Sequence, residues 1–127
     1  MNEARKLCRT LADHYEANPN NWIRHALFNK SGATCVYGGL LWQAIDPKTD
    51  PERAIFSIYS ISPLPAKIIK DAVLLLQNNL QEKFKSDNLP EKFKNDIRGD
   101  YVAPDIIKFN NDPQTNVEDV IALLRSV

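Results

Sequence analysis

Apolar residues recur at Ala4, Leu7, Cys8, Leu11, Ala12 and Tyr15, the spacing that lays one stripe along an α-helix. Asn18-Pro19-Asn20-Asn21 ends that helix, because proline and asparagine favour turn geometry. Over Trp22 to Phe28 the pattern is mixed. Trp22, Arg24, Ala26 and Phe28 alternate with Ile23, His25 and Leu27 as in a strand, and a helix fits as well. Lys30-Ser31-Gly32-Ala33 is a turn signal, after which Thr34 is positioned to cap a helix that begins at Cys35. Leu40, Leu41, Ala44 and Ile45 give this helix its apolar face, with Trp42 beside it, and Asp46-Pro47 closes it. Gly38-Gly39 costs about 1 kcal/mol per glycine inside a helix relative to alanine. The pair therefore implies a close approach by another backbone segment or by a ligand.

Pro47 to Pro51 reads as a loop. Ala54 to Ile61 alternates imperfectly and is rich in β-branched and aromatic residues, which suits a short strand, with helix as the alternative. After the break at Ser62-Pro63-Leu64-Pro65, the longest helix starts at Ala66. Ile68, Ile69, Ala72, Val73, Leu75, Leu76, Leu80 and Phe84 form its broad apolar face, the expected centre of the core. Asn88-Leu89-Pro90 opens a small helical turn through Glu91, Phe93 and Ile97, ended by Gly99-Asp100. Ile106 to Phe109 is a short apolar run before a loop at Asn110-Asn111-Asp112-Pro113. Thr115-x-x-Glu118 has capping-box spacing ahead of a last helix that buries Val117, Val120, Ile121 and Leu124. The expected fold class is therefore helix-dominated α+β: one domain over residues 1–127, of about four helices with one small β element.

The chain of 127 residues is 43% apolar and 25% charged, an ordinary balance for one globular domain. Its 16 basic and 16 acidic residues cancel, which argues against a dedicated nucleic-acid binder resting on a basic face. Lys83, Lys85, Lys92 and Lys94 are interleaved with Glu82, Asp87, Glu91 and Asp96, as on a solvated charged face. The start of the chain lacks the apolar core of a signal peptide, and the longest aliphatic run, Ala72 to Leu76, is too short to span a bilayer. The expectation is a cytoplasmic protein, without membrane contact, whose Cys8 and Cys35 are reduced thiols. Neither cysteine belongs to a C-x-x-C pair, and no metal or cofactor is expected from the spacing of cysteines and histidines.

Trp22, the run Cys35-Val36-Tyr37-Gly38-Gly39, and Asn111-Asp112 with Thr115 to Val120 together resemble a family of small bacterial and phage proteins of no assigned activity. In that family a Trp-led segment precedes Cys-x-x-Gly-small at a helix start, and an Asn-Asp stretch leads into the C-terminal helix. The resemblance implies an accessory protein, phage-encoded or bacterial, acting on host proteins or signals.

Two sets of residues carry candidate chemistry. Trp22, Arg24, Tyr37 and Trp42, with Asp112, offer the residue types that anchor interfaces, and Arg24 is suited to pair with a phosphate or carboxylate. They point to a non-enzymatic binding protein that recognises a host protein or a small anionic ligand, with a homo-oligomer as a further expectation. The alternative is a small cysteine hydrolase or transferase. A thiol in the first turn of a helix feels the positive end of the helix dipole, which makes Cys35 the nucleophile. His25 is its base, with His14 as the substitute, and Asn111 or Asp112 orients the imidazole. One half of a toxin–antitoxin-like pair is a third reading.

Overall fold

The computed structural model describes residues 2–57, 63–85 and 104–127. These hold six α-helices: α1 (Asn2–Ala17), α2 (Val36–Ile45), α3 (Pro51–Phe56), α4 (Pro63–Asn79), α5 (Pro104–Asn111) and α6 (Val117–Arg125). Single 3₁₀ turns at Pro19–Asn21 and Glu82–Phe84 follow α1 and α4. None of these helices is long and apolar enough to cross a membrane.

α1 buries the stripe that its periodicity predicts, Ala4, Leu7, Cys8, Leu11, Ala12 and Tyr15. It lies against α6, α2 and α4, so the two ends of the chain meet. At its far end Arg125 of α6 donates to Asp13 at 2.8 Å and to Glu16 at 2.5 Å. α4 contributes Ile69, Ala72, Val73 and Leu76 to the same core. The chain then carries Phe84 edge-on to Phe109 of α5, ring centres 5.3 Å apart.

α2 is the most deeply embedded helix, buried continuously from Val36 to Trp42. Its glycines are there for packing. A Cβ on Gly38 would overlap the carbonyl of Leu27, and one on Gly39 would strike Leu11 and the Tyr15 hydroxyl. Of the two explanations for the pair, the approach of other protein segments is therefore sufficient.

The small β element is corrected. No strand occurs among the described residues. Backbone pairing is limited to isolated bridges of Thr34 with Trp22 and with Phe28, so Trp22 to Phe28 is neither strand nor helix. Ala54 to Phe56 lies in α3, and residues 58–61 of the expected strand fall outside the described residues. The helix wins because Asp50 caps it, accepting from the Arg53 N–H at 3.0 Å, while Pro51 occupies its first turn. The apolar run Ile106 to Phe109 likewise belongs to a helix, α5, that opens on Pro104. The turn expected over residues 88–97, and the charges of residues 87–96, lie outside the described residues.

Two caps shift by one position. α2 is capped by Cys35, not Thr34, and α6 by Asn116 and Asp119, not Thr115 and Glu118. Thr34 is fully buried, with its hydroxyl 3.0 Å from that of Tyr15, and Thr115 is buried with its N–H on the Asp112 carbonyl at 3.0 Å. Thr34 is drawn inward by Tyr15, and Thr115, besides its local turn, by Arg24, which donates to its carbonyl; local spacing registers neither long-range contact.

Candidate functional site

The 22–34 loop folds back over the start of α2 and the end of α5. Its tip is locally made: Asn29 Oδ1 accepts from the N–H groups of Ser31 and Ala33, both at 3.0 Å, and Gly32 supplies the positive φ of 85°. Its base is held from a distance. The Thr34 N–H donates to Asn21 O at 2.8 Å, Ile23 N–H to Thr34 O at 3.1 Å, and Cys35 N–H to Leu27 O at 3.3 Å.

Asn110 is the junction. It is 1% exposed, and its amide makes all the hydrogen bonds available to it. Oδ1 accepts from Trp22 Nε1 at 2.6 Å and from the Val36 N–H at 3.0 Å. Nδ2 donates to Ile23 O at 3.0 Å and to Asn111 Oδ1 at 3.1 Å. One side chain thus ties the loop to the first N–H of α2. Sequence reasoning placed Asn110 in a turn and missed this role. The available signal was its i+4 spacing from Ile106, on the apolar face of a helix not recognised as one.

Cys35 is 5% exposed, and its Sγ accepts from the Gly38 N–H at 3.3 Å. Burial pushes its thiol pKa up, while the backbone N–H groups of Gly38, Tyr37 and Cys35 itself pull it back in part. With Val36 N–H on Asn110 and Gly38 N–H on Cys35, the leading donors of α2 are engaged within the protein. His25 stands in the left-handed region at φ 67°, fixed by its N–H on Asn111 Oδ1 at 2.7 Å. For a residue other than glycine that conformation is uncommon.

These residues enclose a cleft of about 150 Å³, lined by His25, Ala26, Leu27, Cys35, Ile107, Asn110 and Asn111. Cys35 and His25, named from the sequence, are both among the residues that line this cleft, as is Asn111. His14 is elsewhere, its ring edge-on to Trp42 at 4.9 Å and its Nε2 buried without a partner among the described residues.

The second candidate set is dispersed into structural tasks. The Arg24 guanidinium lies over the Trp22 ring at 4.7 Å from its centre and donates to the carbonyls of Asp112 and Thr115, tying the loop to the α5–α6 connection. Trp42 is buried, with Nε1 on Thr49 O at 2.8 Å. Tyr37 is 1% exposed, and burial pushes its hydroxyl pKa up to about 12. The Asp112 carboxylate accepts from the Gln114 N–H at 2.8 Å, in the turn that leads to α6. No cluster of three or more metal-ligating side chains occurs among the described residues. Comparison of the chain with protein-family models, curated proteins and solved structures found no match.

Proposed function

We propose that this protein is a non-catalytic binding module whose ligand seats in the cleft between the 22–34 loop and α5. The observation behind the proposal is the cleft itself, bordered by an asparagine pair and a strained His25 that the fold holds in place before any ligand arrives. A wall fixed in advance reduces the ordering cost of binding. The features that resemble a small bacterial and phage family acquire a physical sense on this reading. Cys35 and Asn111 line the cleft, Trp22 is bonded to Asn110, and Gly38 lets Leu27 close against α2.

A small molecule or a single protruding group of a partner protein suits the volume. Arg24 is committed to backbone carbonyls, so recognition of an anion through that residue would require it to give up those bonds. The test uses ¹⁵N-labelled protein and a library of small fragments. Ligands should shift the backbone amides of Ala26, Leu27 and Cys35, and Ala26→Phe, at an exposed position in the cleft wall, should abolish those shifts without changing the unfolding midpoint. Fragments that bind Ala26→Phe unchanged would overturn the proposal.

Cysteine chemistry is the second reading, favoured by one observation: Cys35 and His25 line the same cleft. Against it stands the work Cys35 already does as the cap of α2. Serine is among the best caps, so Cys35→Ser should hold stability within about 0.5 kcal/mol, while Cys35→Ala should cost about 1 kcal/mol. Iodoacetamide labelling of the native chain discriminates further, with buried Cys8 as internal reference. Labelling of both thiols only on unfolding leaves Cys35 as a cap. Fast native labelling of Cys35, with an apparent pKa below the free-thiol value of about 8.5, would make it a nucleophile.

A further inference from the structure

We infer that the exposed face of α1 is a self-association surface, on which a second copy of this chain docks antiparallel across a two-fold axis. The inference is independent of the cleft, none of whose lining residues belongs to α1.

Spacing defines the face. Lys6, Arg9, Asp13 and Glu16 are all exposed, and steps of three, four and three residues lay them in one stripe, opposite the buried Ala4, Cys8, Leu11 and Tyr15. Two cations occupy the amino-terminal half of this stripe and two carboxylates the carboxyl-terminal half. A lone helix prefers the reverse, because its dipole favours anions at the start and cations at the end.

The two halves are unequally compensated within one chain. Arg125 of α6 serves the acidic half, bonding Asp13 and Glu16. These carboxylates nevertheless remain 70% and 65% exposed, and a single arginine leaves them with a net negative charge. The basic half has no such counterpart. Lys6 and Arg9 have no ion-pair partner among the described residues, and nor does Arg5, half-buried at the edge of the stripe. Arg9 stands four residues before Asp13, within reach along one helix, yet Asp13 is taken by Arg125.

Register follows from the order of the charges. With two copies antiparallel and the axis level with Leu11, Lys6 faces Glu16 of the second copy and Arg9 faces its Asp13. By symmetry each pair occurs twice. A slide of one heptad sets Lys6 against Arg9 in one direction and Asp13 against Glu16 in the other. A parallel pair sets every charge against itself. The stripe therefore admits one arrangement, in which the positive end of each helix also lies beside the negative end of its neighbour. A polyanion on the basic half would meet Asp13 and Glu16 on the same face, whereas a second copy satisfies both halves. Exposed ion pairs are individually weak and screened by salt, and the stripe offers little apolar area, so the dimer is a weak one that salt dissolves.

Sedimentation equilibrium of the full chain over rising protein concentration, in low and in high sodium chloride, tests the pairing. The weight-average mass should climb toward that of two chains in low salt. Each of the four cross-pairs is worth about twofold in affinity, so high salt should weaken association by about tenfold. Lys6→Glu combined with Arg9→Glu removes no ion pair from the monomer and should abolish association, as should Asp13→Lys combined with Glu16→Lys. An equimolar mixture of the two double variants should associate again, because every cross-pair is once more attractive. If the acidic-half variant, which deprives Arg125 of its partners, does not fold, the basic-half variant decides alone. A chain that stays monomeric in low salt would overturn the inference, and so would a dimer untouched by Lys6→Glu with Arg9→Glu. A monomer that binds single-stranded DNA in low salt, and loses it in that same variant, would give the basic half to a polyanion instead.

Discussion

Asn110 joins three parts of the chain through one amide, and the energetic consequence is asymmetric. Its hydrogen bonds are worth about 1 kcal/mol each when made, but deleting the side chain strands the Val36 N–H in a buried setting and Trp22 Nε1 and the Ile23 carbonyl in a partly buried one. Asn110→Ala should therefore cost about 3 kcal/mol or more in urea unfolding, far beyond its loss of apolar contact, and a cost below about 1 kcal/mol would remove Asn110 as the junction. Buried titratable groups govern a second property at this scale. Burial raises Cys8 from 9.0 to about 12, raises Tyr37 to about 12, and raises Tyr15 and Cys35 as well. A group whose folded pKa is raised stabilises the fold below its unfolded pKa, and that contribution is lost as pH climbs toward the folded value. For Cys8 the loss begins near pH 9 and reaches about 2 kcal/mol by about pH 10.5. The unfolding free energy should fall between pH 8 and 10.5, and Cys8→Ala should flatten part of that slope. An unchanged slope in this variant would contradict the burial of Cys8. His14 works in the opposite sense. Burial lowers its pKa from 6.5, so its contribution is present above that value and is lost as pH falls below it.

Among the elements, legibility tracked length. The stripe of α1 declares itself over several turns, and the apolar face of α4 does the same. α3 has six residues and α5 eight, too few for periodicity to outvote the alternation of Ala54 to Ile61 or the brevity of Ile106 to Phe109. Their evidence was in their starts, Asp50-Pro51 and Pro104, where a proline in the first turn marks a helix as readily as it marks a loop. The α6 cap shows a different ambiguity. Thr115-x-x-Glu118 and Asn116-x-x-Asp119 both satisfy the spacing and bury the same apolar face, and only the burial of Thr115 selects the second. The observed pairing is reciprocal, Asn116 Oδ1 receiving Asp119 N–H and Asp119 Oδ2 receiving Asn116 N–H, both at 3.0 Å. Asn116→Ala should lower stability by about 1 kcal/mol, read as a drop in the thermal midpoint, whereas exposed Glu118→Ala should leave the midpoint nearly unchanged. The reverse order would return the cap to Thr115.

At the scale of the whole molecule, the candidate site is built by contacts that local sequence patterns do not express. Cys35 and His25 are recognisable as residue types, but their place on one cleft depends on Asn110, which lies 88 positions from its partner Trp22 and 74 from Val36. The Arg24 to Thr115 bond spans 91 positions. Between these anchors the 22–34 loop has little regular structure, so its order is borrowed from α2 and α5. Gly38 is where that dependence is most exposed. Replacing a helical glycine by alanine ordinarily stabilises by about 1 kcal/mol; here the added Cβ collides with the Leu27 carbonyl, which cannot move without releasing the Cys35 N–H. Gly38→Ala should therefore destabilise, and it should do so unevenly. Native-state hydrogen exchange on the unaltered chain should show the amides of Ile23, Thr34 and Cys35 protected alongside those of α1 and α2, since each donates to backbone in the folded base of the loop. In Gly38→Ala those three should exchange faster by at least an order of magnitude relative to the α1 and α6 amides. Protection lost equally across α1, α2 and α6 would mean that the loop is not a separable unit and that the cleft opens only when the whole domain does. Protection unchanged at all three amides would mean that Leu27 has room to withdraw, and the glycine would then need a reason other than the loop it supports.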